Sequence, residues 1–149
     1  MASASSLNTL IQLAKDGADQ IGKRLQQLSA ERKNAESQLS MLDVYRLDYA
    51  ERLQKATENG LSASNYQNFR QFIATLDEAI SQQNKIVAQM DAQIEDGRQQ
   101  WYAEKRRLSS FEALQTRQIR QQILRDNRNE QRASDEISAT MYRRVHYSH

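Results

Sequence analysis

The chain has 149 residues, 21 of them basic and 19 acidic, with 38% hydrophobic residues, 27% charged residues, no proline and no cysteine. A chain this polar excludes a thick multilayer core, and the missing cysteine excludes disulfides and thiolate metal sites. The net charge of +2 argues against a nucleic-acid binder, and no apolar run is long enough to span a membrane. Met1 is followed by Ala-Ser-Ala-Ser-Ser, without an apolar run of signal-peptide length, so the protein is expected in the cytoplasm.

From Leu7 to Ala56 apolar residues recur at alternating spacings of four and three. The series is Leu7, Ile11, Ala14, Ala18, Ile21, Leu25, Leu28, Arg32, Ala35, Leu39, Leu42, Arg46, Tyr49, Leu53 and Ala56, and only the two arginines break it. A mean spacing of about 3.5 residues draws these positions into one slowly winding stripe, the seam of a coiled coil. The pattern stops at Thr57-Glu58-Asn59-Gly60, where Asn and Gly tolerate the left-handed conformation that ends a helix. Ser64-Asn65-Tyr66-Gln67 has the form of a capping box, with Ser62 a competing N-cap.

A second seam runs through Phe69, Ile73, Leu76, Ile80, Gln83, Val87, Met90, Ile94, Gly97, Trp101, Glu104, Leu108 and Phe111. Beyond Phe111 the strict register is lost, and Leu114, Ile119, Ile123, Leu124 and Ile137 continue a sparser pattern. The spacing therefore predicts an all-α fold: a long two-helix antiparallel coiled-coil hairpin, the second helix longer than the first. It is one domain, with helix 1 over about 7–57, a turn over about 58–63, helix 2 over about 64–138 and a frayed tail over about 139–149. Counting outward from the turn, helix 1 ends opposite about residue 115, which leaves the last part of helix 2 overhanging.

No motif carries catalysis. His146 and His149 fall in the tail, and a metal site needs three or four convergent ligands on a framework. Gly17, Gly22, Gly60 and Gly97 are isolated from one another, so no phosphate loop exists, and those inside helices read as bends or close approaches. A two-helix hairpin offers no water-excluding pocket for a nucleophile and its base. The reading is a non-enzyme with no cofactor, metal or small-molecule substrate. Arg32, Arg46, Gln83 and Glu104 fix the register or reach out to water, and they leave the middle of the hairpin weakly packed. Near the turn, Gln38, Leu42, Tyr45 and Tyr49 share a face that only partly coincides with the seam, and Phe72, Leu76, Ala79 and Gln83 repeat the spacing across the turn. They either widen the internal packing or form a contact patch. From Lys105 to Arg132, Lys105, Arg106, Arg107, Arg117, Arg120, Arg125, Arg128 and Arg132 outnumber Glu104, Glu112, Asp126 and Glu130. Such a run is a solvated face or a basic helix that enters an acidic protein cavity.

The stretch Asn59-Gly60, Ser64-Asn65 and Tyr66 to Ile80, with Ala35 to Leu42, Tyr45 and Tyr49 upstream, resembles the flagellar export protein FliJ family. Trp101, Lys105, Leu108, Leu114 to Gln118, Asn127 to Gln131 and Asp135-Glu136 extend the resemblance over nearly the whole chain. The resemblance implies flagellum biogenesis, motility and type III protein export, and a likeness to the γ subunit of rotary ATP synthases. It implies a non-catalytic stalk that promotes assembly of a hexameric export ATPase and links it to the cytoplasmic domain of the membrane export gate. It also implies escort of export chaperones and peripheral association with the inner face of the cell membrane. Carried over, the gate surface falls on Gln38, Leu42, Tyr45, Tyr49, Phe72, Leu76, Ala79 and Gln83, the last standing where the family pattern has histidine. The ATPase-ring surface falls on Leu10, Arg128, Glu130, Gln131 and Asp135. The alternatives are the equivalent stalk of a virulence injectisome, and a free-standing self-associating or nucleic-acid-binding coiled coil.

Overall fold

The computed structural model describes residues 3–147, with the side chains of residues 3–146. Among the described residues there are two helices, α1 (Ala4–Glu58, 55 residues) and the longer α2 (Ala63–Tyr147, 85 residues), an antiparallel hairpin as the spacing predicts. Ser3 opens α1: its Oγ accepts the Ser6 N–H at 3.1 Å, an N-cap that the seam pattern does not announce. At the far end Gly60 takes φ +85°, and the Asn59 N–H reaches the Lys55 carbonyl at 3.1 Å. Ser62 caps α2 by accepting the Asn65 N–H at 3.2 Å. Ser64 already lies within the first turn, so the competing N-cap takes the role assigned to the capping box. α2 runs on to Tyr147, past the expected end near 138, and no proline or glycine follows Gly97 to end it sooner. Residues 148 and 149, and with them His149, lie outside the described residues.

The chain divides into two compact units, one comprising Ala18–Tyr102 and the other Met1–Gly17 with Ala103–His149. In the unit Ala18–Tyr102 the two seams meet along alternating positions. Ala18, Leu28, Ala35, Leu76 and Ile94 are buried, and the apolar seam residues between them are partly buried. Burying one leucine contributes about 1.5–3 kcal/mol, so stability accumulates residue by residue along the stripe. The backbones approach closely at Gly97, where a Cβ would lie 2.8 Å from Leu25 Cδ2. Where the seam turns polar, side chains tie the helices together. Arg32 Nε donates to Asp91 Oδ1 and its Nη1 donates to Glu36 at 3.0 Å, while Arg46 Nε donates to Asp77 Oδ1. The hydrogen bond to Asp91, reinforced by its charge, holds the Arg32 guanidinium above its ordinary pKa, and Asp77 does the same for Arg46.

In the other unit a small cluster of Leu7, Ile11, Ala14 and Leu108 is buried, with Phe111 packed against it. Glu104 fills the space over Gly17, its Cδ 3.6 Å from where a Cβ would stand. Gln115 Nε2 donates to Asn8 Oδ1, where counting from the turn puts the end of helix 1. The four-three register in fact persists through Gln115 and Gln118, both partly buried, with polar residues in place of apolar ones. Leu114, Ile119, Ile123, Leu124 and Ile137, which carry the sparser apolar pattern, are all exposed. From residue 121 to 146 every side chain of α2 is exposed.

Candidate interaction surfaces

Near the turn, within the unit Ala18–Tyr102, aromatic side chains gather across the two helices. The rings of Tyr49 and Phe72 lie 4.3 Å apart between centroids and Tyr49 and Phe69 6.3 Å apart, both tilted. The Arg52 guanidinium stands 5.4 Å from the Tyr49 ring. The residues of the expected gate surface are therefore unequal. Leu76 is buried in the seam, and Leu42, Tyr49, Ala79 and Gln83 are partly buried. Gln38, Tyr45 and Phe72 are exposed, Tyr45 at 49% and Phe72 at 42%. Gln83 Nε2 donates to the Ala35 carbonyl at 2.8 Å and to Gln38 Oε1 at 3.3 Å, so its amide is engaged internally.

Of the two readings of this stripe, the internal one has its counterpart in the ring contacts of Tyr49. Tyr49 and its aromatic neighbours widen the internal packing, while Tyr45 adds exposed apolar surface beside it. Met41 and Val44 are exposed too, and the seam spacing does not select them. The legible signal is local: Met41 lies four residues before Tyr45 and three before Val44, the intervals that share a helix face. Exposed Met and Tyr side chains grouped in this way are the composition of an interface centre.

In the unit Met1–Gly17 with Ala103–His149, the expected ring surface is uniformly accessible. Leu10 is exposed, as are Arg128, Glu130, Gln131 and Asp135, and Gln131 Nε2 donates to Asp135 at 3.2 Å along the helix. His146 stacks edge-on to Tyr142 with centroids 4.1 Å apart, an i,i+4 contact on the helix. Among the described residues no group of three His, Cys, Asp or Glu is placed to hold a metal ion. A cleft of about 490 Å³ lies where Ala4 and Asn8 meet Gln115, Gln118, Ile119, Gln122 and Arg125, lined mostly by amides.

The arginines of this unit are set apart by what surrounds them. Arg107 lies 3.7 Å from Glu104, but among the described residues Arg106, Arg117, Arg120, Arg125, Arg128 and Arg132 have no carboxylate within ion-pair distance. The sequence places like with like. Arg117 precedes Arg120, Arg125 precedes Arg128 and Arg128 precedes Arg132 at three- or four-residue intervals, and Asp126 precedes Glu130 likewise, with Arg132 before Asp135 and Glu136 the exception. Such rows repel along the helix instead of supporting it.

No helix among the described residues is long and apolar enough to cross a membrane. A family model described as "Flagellar FliJ protein" matches residues 3–146. A flagellar FliJ protein of Salmonella typhi is 32% identical over 138 residues, covering 93% of this chain and 94% of the relative. A flagellar FliJ protein of Escherichia coli (strain K12) is 30% identical over the same length and the same shares. With the hairpin and its near full-length match, the chain belongs to the flagellar FliJ protein family.

Proposed function

We propose that the chain is a non-catalytic stalk and adaptor of the flagellar type III protein export apparatus, with separate surfaces for separate partners. The observation that carries this reading is α2 from residue 121 to 146, exposed throughout, with its arginines in like-charged rows. Most helical stability in proteins comes from packing, and every side chain of this stretch is exposed. Ring-shaped protein partners offer a lumen that such a helix can enter, and unpaired guanidiniums favour carboxylate-lined walls. On this reading the segment, including Arg128, Glu130, Gln131 and Asp135 with Leu10, engages the hexameric export ATPase and promotes its assembly.

Tyr45, Phe72 and Gln38 then form the accessible part of the surface for the cytoplasmic domain of the export gate, Met41 and Val44 extending it. Leu76 acts behind them by holding the helices together. Escort of export chaperones belongs to the same adaptor role, as does peripheral association with the inner face of the cell membrane through the apparatus. The flagellar names of the relatives favour this system over an injectisome.

Deletion of residues 121–149 tests the reading, because residues 121–146 are all exposed and add nothing to the buried cluster. The truncated chain keeps its thermal midpoint and loses stimulation of the export ATPase. Retained stimulation by a folded truncated chain sinks the assignment. At the tip, Tyr45→Ala weakens capture of the gate's cytoplasmic domain without loss of helicity. Phe72→Ala is the poorer probe, since Phe72 also packs on Tyr49.

A further inference from the structure

Within the unit Ala18–Tyr102, the two arginines of the first seam each find an aspartate on α2, Arg32 with Asp91 and Arg46 with Asp77. On both helices the pair members are fourteen residues apart, two heptads. Halfway between them Gln83 reaches across to the Ala35 carbonyl and Gln38. The three links therefore form a ladder with one repeat. Gly97 aside, where a slip would bring Met90 against Leu25, an apolar seam that repeats every heptad cannot by itself tell one register from the next, because Ile73, Ile80, Val87 and Ile94 replace one another when one helix slides by seven. The charged ladder can.

Sliding by one heptad in one direction sets Arg32 opposite Arg98 and Arg46 opposite Asn84. Sliding in the other direction sets Arg32 opposite Asn84 and Arg46 opposite Arg70. Either slip exchanges two ion pairs for one arginine–arginine encounter and one neutral amide. The penalty lies in the unpaired and opposed charges more than in the pairs themselves, which are solvent-accessible and weak singly.

We propose that Arg32–Asp91 and Arg46–Asp77 are a register lock, which bars one-heptad sliding of α1 on α2 and makes this unit a strut that passes on displacement without changing register. The lock goes beyond the export reading and is independent of which partners the chain binds. It predicts that register follows the charges when they are moved. Absence of native cysteine allows a disulfide readout. Leu25→Cys with Gly97→Cys reports the native register, since Leu25 packs directly on Gly97. Leu25→Cys with Met90→Cys reports the register slipped by one heptad towards Arg70.

In the otherwise native full-length chain the first pair oxidises and the second does not. The second background combines Asp77→Asn and Asp91→Asn with Arg70→Asp and Asn84→Asp, which sets the new carboxylates opposite Arg32 and Arg46 only after the slip. The ratio of slipped to native disulfide then rises by on the order of tenfold. A third background exchanges the partners in place (Arg32→Asp with Asp91→Arg, Arg46→Asp with Asp77→Arg) and keeps the native disulfide. If the redesigned chain still oxidises only at Leu25 and Gly97, the turn at Gly60 sets the register and the lock is refuted. Loss of both disulfides together with helicity refutes it as well, since the slipped pairs would then not sustain a hairpin.

Discussion

Arginine serves opposite ends in the two units. In Ala18–Tyr102 four of the six arginines (Arg32, Arg46, Arg52 and Arg98) lie against a carboxylate, two of them across the helices and two along one helix, while Arg24 and Arg70 do not. In Met1–Gly17 with Ala103–His149, Arg107 alone among the described arginines does so. The order of charges in the sequence contributes to this, although Arg132 also stays unpaired with Asp135 and Glu136 three and four residues on. Arg52 follows Asp48 and Glu36 follows Arg32 at four residues, whereas Arg128 is followed at that interval by Arg132. The first arrangement satisfies charge within the chain, and the second leaves it for something else. An α-helix can thus be made into scaffold or contact surface with little change in composition.

The contrast breaks most readily at Leu108. It is buried against Leu7, Ile11 and Ala14, so Leu108→Ala should lower stability by about 2–5 kcal/mol in urea denaturation. Ile123→Ala, in the exposed stretch, should stay within about 0.5 kcal/mol. Comparable losses at the two positions would mean that the stretch after residue 120 is packed, and the division between scaffold and surface would fail.

Much of the scaffold was legible because it depends on one period. Every apolar position of both seams is buried or partly buried in the structure. What the period could not reveal is what happens when geometry and apolarity part. Gln115 and Gln118 keep the seam position because α1 still lies alongside, while Ile119 is apolar and exposed because it stands one residue off the register, and Ile123 is exposed with the rest of the stretch after residue 120. The Arg–Asp ladder was half legible: the arginines stood out as breaks in one seam, but Asp77 and Asp91 flank the other seam, where spacing gives no reason to look. Ser62 over Ser64 was decided by two residues of helix start, below the resolution of a sequence pattern. At the tip, periodicity selected Leu76 and Tyr45 alike, although one is core and the other surface.

A smaller effect separates two glycines of the same seam region. A Cβ on Gly22 would meet Trp101 Nε1 at 3.8 Å, ordinary contact, so Gly22→Ala should gain up to about 1 kcal/mol from helix propensity. Gly97→Ala brings the same propensity but places its Cβ 2.8 Å from Leu25 Cδ2, which must turn aside. Thermal unfolding should rank Gly22→Ala above the native chain and Gly97→Ala below Gly22→Ala. Equal gains would show that Leu25 yields freely and that the close approach does not constrain the pairing.

The smallest expected effect bears most directly on the comparison. Arg128→Glu places an acid four residues before Arg132 and three after Arg125, and so converts a repulsive row into a supporting one. The free helix should gain about 0.2–0.5 kcal/mol for each favourable pair, seen as higher helicity at low salt that fades at high salt. The same change removes a guanidinium from the proposed partner surface, so binding to the export ATPase should weaken while the isolated chain becomes more helical. Opposite movement of helicity and binding is the signature of a surface whose charges are arranged for a partner. If both rise together, the arginines of α2 serve only solubility, and the difference between the two units carries no function.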